Sequence, residues 1–286
     1  MDGILVVDKK EGMTSRDVVN ILMKQFSTKK VGHTGTLDPM ATGVLVICFG
    51  KSTKLVEVIT AYEKEYVFEA ELGTETDTYD CTGSILKREV ALFSKKEVER
   101  ALKDMVGKML QEVPLYSAVK VKGKKLYEYA RNREEVELPK REVVIHCAEL
   151  QKISYTEEKT HIQVKIVVSK GTYIRSFIRD LAHHLHTVGM MTSLRRTKQG
   201  KFQIEDAFSL EDIKAEKYTF IPLLEVLKIY KQVEVPLEEK KKIQNGALLL
   251  KDTEEDTILF THKGIPLALY KTYEKDIRYR KPWKML

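Results

Sequence analysis

Short apolar runs alternate with amphipathic segments along most of the chain. Five of the runs mix β-branched with aromatic residues over a short length and are bounded by Gly, Lys or Asp, which is typical of strands. The predicted strands are Gly3 to Asp8, Val44 to Phe49, Lys64 to Leu72, Val143 to Ile153 and His161 to Val168.

Three further segments have the periodicity of amphipathic helices. Thr14 offers a capping hydroxyl to the first, which continues through apolar positions at helical spacing. A capping-box pattern at Ser94 opens the second, which extends through Met105. The third, Tyr173 to His186, places its apolar residues on one face. Because strands and helices mix without regular βαβ spacing, we predict an α+β domain with a mixed, largely antiparallel sheet flanked by helices.

Two parts of the chain depart from this pattern. Residues 120–142 interleave lysines with aromatic residues, which suits a mobile arm that grips an RNA backbone and stacks on bases. An exposed, charged hairpin or helix with buried tyrosines explains the same pattern equally well. After residue 232 a helix-like segment and several short strands follow, so we predict a first domain over 1–232 and a small β-rich domain over 233–286.

Composition and charge narrow the classes of function only modestly. Lys and Arg outnumber Asp and Glu by 49 to 42, and the net charge of +7 suits a polyanionic partner. No apolar run is long enough for a membrane helix, and the first residues lack the features of a signal peptide. The scattered cysteines Cys48, Cys81 and Cys147 indicate neither a disulfide framework nor a zinc site. We therefore expect a cytoplasmic protein.

The stretch from Val31 to Gly43 is the most informative for chemistry, because glycines surround His33, Asp38 and Pro39. Glycines permit a tight loop and close approach by a ligand. Pro39 restricts Asp38 to an extended conformation, which can present its carboxylate in a fixed direction. Loop glycines often serve turns alone, so these residues by themselves leave a catalytic and a structural interpretation open.

Two other patterns carry no chemistry. Gly50-Lys51-Ser52-Thr53 is similar to the end of a phosphate-binding loop, but that motif needs a glycine where Leu45 stands. The histidines of His183-His184-Leu185-His186 have no complete metal-binding spacing, which favours a solvated helix end.

Six short motifs follow one another through the predicted first domain. They are Gly3 to Lys9 with Gly12 to Ser15, Gly32 to Gly43, Lys64 to Tyr66 with Leu72-Gly73, Tyr116 to Ala118 with the basic segment behind it, Gly171 to Ser176, and Leu194 to Thr197 with Gly200 and Phe202. In this order they resemble the bacterial tRNA pseudouridine synthase B family, the TruB family, whose members make pseudouridine at position 55 in the T arm. Departures from the family pattern, such as Lys10, Arg16, Ala182 and Met190, fall outside the residues expected to do chemistry.

The resemblance implies a pseudouridine-synthase core with a basic RNA-clasping insertion at about 120–142 and a PUA-like RNA-binding domain at 233–286. It implies isomerisation of uridine 55 in the T loop of tRNA by base flipping, without a cofactor or a metal. The expected partner is the T-arm stem-loop of tRNA, bound by a monomer with no guide RNA and no membrane. Assistance with tRNA folding is a further implied role.

The resemblance also assigns the site. Asp38 is expected to be the catalytic nucleophile, and Arg175 its bidentate ion-pair partner. Tyr66 is expected to stack on the flipped uracil and His33 to fill or brace the space that the base leaves. The other substrate-binding residues are expected to be Lys64, Tyr173 and Leu194.

Other functions remain as alternatives. A uridine methyltransferase would need a glycine-rich strand–loop–helix start, and a zinc deaminase would need His-x-Glu and Pro-Cys-x-x-Cys, which the chain lacks. A non-catalytic tRNA-binding or RNA-folding protein would not need Asp38, Tyr66 and Arg175 together. A guide-RNA-dependent synthase is disfavoured by the basic insertion and the short C-terminal part.

Overall fold

The computed structural model describes residues 2–286. The strands, numbered in chain order, are β1 Gly3–Lys9, β2 Val31–His33, β3 Thr42–Phe49, β4 Lys64–Leu72, β5 Thr74–Thr76, β6 Ile85–Arg88, β7 Gly107–Glu112, β8 Lys120–Val121, β9 Lys124–Lys125, β10 Lys140–Tyr155, β11 Thr160–Val168, β12 Gly189–Gln199, β13 Phe202–Gln203, β14 Lys231–Glu234, β15 Leu249–Leu250, β16 Thr257–His262, β17 Ile265–Thr272 and β18 Tyr279–Met285. The α-helices are α1 Ser15–Gln25, α2 Val56–Thr60, α3 Lys95–Asp104, α4 Leu126–Asn132, α5 Ile174–His184, α6 Leu210–Lys214, α7 Leu223–Leu227 and α8 Leu237–Gln244, with 3₁₀ turns at Gly50–Leu55 and Ile204–Asp206.

The main sheet has the strand order β1-β3-β12-β4-β11-β10-β7, with β2 attached to β3 and β13 to β12. The neighbours pair antiparallel, except that β12 runs parallel to β3. One face of this sheet packs against the apolar faces of α1, α3 and α5. The predicted α+β core with a mixed, largely antiparallel sheet is confirmed.

The helices that pack on the sheet begin where the sequence predicts. Thr14 caps α1 through a reciprocal hydrogen-bond pair with Asp17, and Ser94 caps α3 in the same way with Glu97. Each cap satisfies backbone N–H groups that have no partner within the helix. These local signals explain why the starts of α1 and α3 are readable from sequence.

The C-terminal residues form a second sheet, in the order β14-β16-β17-β18-β15. Alternate residues of β1 point to different cores: Leu5 joins the helix-covered core, whereas Ile4 packs in a cluster that includes Leu259 and Leu269 of the C-terminal sheet. The small sheet therefore covers the other face of β1 and β3. The division predicted at residues 232 and 233 falls inside β14 and stays a prediction.

The basic segment is a hairpin and a helix in the structure. Strands β8 and β9 pair antiparallel, α4 follows, and an irregular stretch leads to β10. Because residues 140–142 belong to β10, we use the name arm for residues 120–139. Within residues 2–286, no helix is long and apolar enough to cross a membrane.

Candidate active site

Asp38 lies in the loop 34–41, between β2 and β3, and its neighbours are held by groups from the start of the chain. The Leu37 N–H donates to Ser15 Oγ (2.8 Å), and this hydroxyl donates to the Leu37 carbonyl (3.2 Å). The buried Lys9 ammonium donates to the carbonyl of Pro39 (3.2 Å). Asp38 is therefore flanked on both sides by residues whose backbone is fixed.

The beginning of the same loop is held from β12. Gln199, which is fully buried, donates from Nε2 to the carbonyl (3.0 Å) and the hydroxyl (2.9 Å) of Thr34. Arg196, also buried, donates to the carbonyls of Gly35 (3.0 Å) and Val44 (2.6 Å). Because buried carbonyls need partners, these side chains determine the path of the loop.

Gly43 is required where β3 runs parallel to β12. Its φ of +98° is a conformation that L residues rarely adopt, and a Cβ there would lie 2.2 Å from the Arg196 carbonyl oxygen. Glycine alone permits this approach without a shift of the backbone. Because Gly43 lets β3 and β12 approach closely, Arg196 and Gln199 of β12 lie behind the loop 34–41.

Arg175, in the first turn of α5, binds Asp38 with two hydrogen bonds. Its Nε lies 3.0 Å from Asp38 Oδ2, and its Nη2 lies 3.2 Å from Oδ1. The guanidinium is only 6% exposed and also donates to the carbonyls of Thr78 (3.0 Å) and Tyr116 (3.0 Å). A planar guanidinium with four fixed acceptors can adopt one orientation, which sets the direction of the carboxylate.

A second carboxylate, which the sequence analysis missed, stands behind Arg175. Asp80 Oδ2 lies 3.7 Å from Arg175 Nε, and the residue is buried. Its Oδ1 accepts from the hydroxyl of Thr78 (2.7 Å) and the N–H of Thr82 (3.0 Å). The only signal was the polar run from Asp77 to Asp80, and such runs are ordinary in turns.

A cavity of about 160 Å³ opens beside the Asp38–Arg175 pair. Tyr66 on β4 and Leu194 on β12 are both largely buried and line it, as does Tyr173 at the start of α5. The remaining lining residues are Thr36, Leu37, Tyr116, Ser117, Ala118, Thr172 and Ile174. Five of the predicted site residues therefore meet at one cavity.

Two predicted site residues do not line this cavity. The Lys64 ammonium donates to the carbonyls of Thr60 (2.8 Å) and Tyr62 (2.7 Å), and burial lowers the pKa of Lys64 to about 8. His33 is half-buried on β2, and burial together with the charge of Arg196 lowers its pKa. Its Nδ1 has no hydrogen-bond partner among residues 2–286.

Comparison with known families gives the site its context. The family model described as "TruB family pseudouridylate synthase (N terminal domain)" matches residues 23–174, and the "tRNA pseudouridylate synthase B C-terminal domain" matches residues 175–228. The chain belongs to the TruB family of pseudouridylate synthases. The two matches meet where α5 begins, so the Asp38–Arg175 pair joins them.

Relatives in the TruB family match nearly the whole chain. The tRNA pseudouridine synthase B of Clostridium kluyveri is 41% identical over 96% of this chain and 92% of its own length. That of Limosilactobacillus reuteri is 40% identical over 100% of this chain and 99% of its own. The resemblance drawn from six motifs is thereby confirmed.

Solved structures share the fold at lower identity. A structure of an H/ACA RNP bound to a substrate RNA containing 2′-deoxyuridine matches with a TM-score of 0.69 and 21% identity, over 99% of this chain and 82% of the other. A Cbf5-Nop10-Gar1 complex matches with a TM-score of 0.70 and 22% identity, over 99% and 82% of the two chains. These likenesses concern the fold alone.

Proposed function

We propose that this TruB-family chain isomerises uridine 55 in the T loop of tRNA to pseudouridine, with Asp38 as the nucleophile. The observation that carries the proposal is the bidentate Asp38–Arg175 pair at the wall of a small, half-apolar cavity. At about 160 Å³ the cavity is smaller than the roughly 300–1,000 Å³ typical of ligand pockets, which favours a single base over a nucleotide cofactor.

The chemistry needs little besides a directed carboxylate. In pseudouridine formation the bond between N1 and C1′ breaks, the uracil turns, a bond between C5 and C1′ forms, and the C5 proton is lost while N1 gains one. Arg175 aims the Asp38 carboxylate at the base or the sugar. Tyr66 offers an aromatic surface beside the carboxylate, on which a uracil can stack.

A uridine inside a folded T loop must leave its stack before it reaches Asp38, at a cost of a few kcal/mol. Binding energy from the rest of the tRNA can supply this cost. The net charge of +7 and the lysine-rich arm suit such a polyanion. The relatives named tRNA pseudouridine synthase B support tRNA as the substrate.

Mapping of pseudouridine in tRNA treated with the protein tests the proposal. We expect modification at the T-loop uridine and release of tritium from uridine labelled at C5. Asp38→Asn should keep the fold and tRNA binding but lower the rate by roughly 10³-fold or more, the scale of removing a reacting group. Asp252→Asn, at an exposed position, is the matched control.

Modification at other positions, or wild-type rates in Asp38→Asn, would contradict the proposal. The inactive variant also separates catalysis from assistance with tRNA folding, which we propose as a second role. If folding assistance depends on binding alone, Asp38→Asn should retain it in a tRNA refolding assay.

A further inference from the structure

Gln111 is a buried side chain that hydrogen-bonds the backbone of one active-site residue from a strand that is distant in sequence. It lies on β7, the edge strand of the main sheet, and is fully buried. Its Oε1 accepts from the N–H of Tyr173 (2.7 Å), and its Nε2 donates to the carbonyl of Tyr173 (3.1 Å). A primary amide that engages both backbone groups of one residue fixes the orientation of that peptide segment.

Tyr173, the residue that Gln111 holds, is the one at which α5 begins. Tyr173 occupies the N-cap position with an extended backbone, and its side chain makes no capping hydrogen bond. Its carbonyl also accepts the first helical bond, from the N–H of Phe177 (3.0 Å). Tyrosine has no short side-chain acceptor suited to this position. Gln111 therefore holds the backbone of the N-cap residue itself, and Arg175 lies two residues further on.

Other contacts show that β7 and the segment after it hold the first two turns of α5. The Ser176 hydroxyl donates to the Glu112 carbonyl (2.9 Å), and Arg179 donates to the Glu112 carboxylate (2.8 Å). The Tyr116 carbonyl, a few residues later, accepts from Arg175 itself. Gln111 is fully buried, so water cannot replace the bonds that it makes.

We propose that Gln111 is a positioning residue that sets Arg175, and through it Asp38, by fixing the backbone of Tyr173. The inference rests on the proposed roles of Arg175 and Asp38. A reacting group displaced by about 1 Å can lose about 10²-fold in rate. Tyr173 also lines the cavity, so this pair of hydrogen bonds, here called the clamp, fixes part of the pocket wall as well.

Gln111→Glu tests this role, because only one of its protonation states can form the clamp. The carboxylate accepts the Tyr173 N–H but has no proton for the Tyr173 carbonyl, whereas the carboxylic acid can satisfy both. Burial will raise the pKa of the new carboxyl above its ordinary value, so acid should restore the clamp within an accessible pH range. We expect a rate about tenfold to hundredfold below wild type near pH 8 and recovery towards wild type as the pH falls.

The rate should be measured as a single turnover with the enzyme in saturating excess over tRNA, since unfolded protein then does not affect the rate constant. The tRNA dissociation constant should stay near the wild-type value. Gln111→Met, which loses both hydrogen bonds at every pH, should show a deficit relative to wild type that does not change with pH, and should therefore diverge from Gln111→Glu at low pH. Gln151→Glu makes the same change at an exposed position of β10 and should have no effect.

Wild-type rates in Gln111→Glu at every pH, or a deficit that does not change with pH, would overturn the inference. A change confined to tRNA affinity would overturn it as well, because that result would place Gln111 in binding rather than in alignment. Measuring the wild-type protein in the same series separates the proposed function from the proposed role of Gln111. If the wild type converts the uridine and Gln111→Glu is unaffected, the proposed function stands and the positioning role fails. An inactive wild type would contradict both.

Discussion

The loop 34–41 and the arm are held by different kinds of contact. Four buried side chains hold the loop by its backbone: Lys9, Ser15, Arg196 and Gln199. The charged contacts within the arm join flexible side chains at or near the surface. Lys124 pairs with the exposed Glu134 and lies 4.6 Å from the centre of the Tyr129 ring.

This difference matches two demands of the proposed reaction. A carboxylate that attacks a base must be in place before the substrate arrives, because its reorganisation would add to the barrier. A surface that grips a folded RNA gains from side chains that exchange one partner for another. Neither Lys9 nor Arg196 forms an ion pair in the described part of the chain, since their acceptors are carbonyls. Lys124 and Lys125 of the arm have partners, Glu134 and the Tyr127 hydroxyl, that a phosphate can replace.

Glycine substitutions should show the largest contrast between the two regions. Gly43 and Gly123 both have positive φ, but a Cβ at Gly43 meets backbone at 2.2 Å, whereas nothing lies within 4 Å of a Cβ at Gly123. Gly43→Ala should lower the free energy of unfolding by about 3 kcal/mol or more, because strain and overlap add. Gly123→Ala should cost only about 1 kcal/mol, the strain alone. Urea titration measures both, and equal losses would mean that the packing behind the loop is not rigid.

Charge reversal in the hairpin tests the arm. Replacing Lys122, Lys124 and Lys125 together by Glu should weaken tRNA binding about tenfold or more and flatten its dependence on salt, because each lost phosphate contact removes about 0.9 from the slope. The single-turnover rate at saturation should change much less than the affinity. The matched control reverses three exposed lysines of α3, namely Lys95, Lys96 and Lys103. An unchanged salt slope would mean that the arm does not touch phosphates.

The buried cation of the loop should appear in the pH dependence of stability. Burial lowers the pKa of Lys9 to about 8, against 10.5 for an unperturbed lysine. Between these values the unfolded chain binds the proton and the folded chain does not, so the contribution of Lys9 to the free energy of unfolding rises with pH. The difference between wild type and Lys9→Met should therefore shift in favour of wild type by up to about 1.4 kcal/mol per pH unit from pH 8 to 10.5. A flat difference would show that Lys9 titrates normally.

Most elements of the fold could be predicted because their signals are local. Capping pairs mark the starts of α1 and α3, and strands such as β4 alternate buried and partly exposed residues. Strand β12, which lies between β3 and β4, was missed. Its buried face includes Arg196 and Gln199, and their polarity concealed its position in the sheet. Polar side chains are buried here because distant carbonyls accept their hydrogen bonds, and no local pattern reports those partners.

The site shows the same limit more strongly. Asp38 and Arg175 are 137 residues apart, and only the family resemblance paired them before the fold was known. Asp80 and Gln111 make contacts that exist only in the folded chain, so no local sequence pattern marks either residue. The family motif assigned Lys64 to the pocket, but its ammonium donates hydrogen bonds to the carbonyls of Thr60 and Tyr62.

The smallest effect concerns a single glutamate of the arm. Glu134 holds Lys124 at 2.6 Å, so a phosphate that takes this lysine must displace a carboxylate. Glu134→Gln should therefore raise tRNA affinity by about twofold at low salt, the scale of an exposed ion pair, and the gain should vanish as salt screens the pair. Glu135→Gln changes the net charge equally, but Glu135 forms no ion pair in the described structure. If both variants gain tRNA affinity equally, net charge alone explains the effect. If only Glu134→Gln gains affinity, the arm binds RNA by exchanging Glu134 for a phosphate. The buried contacts that hold the loop 34–41 could not be exchanged in this way.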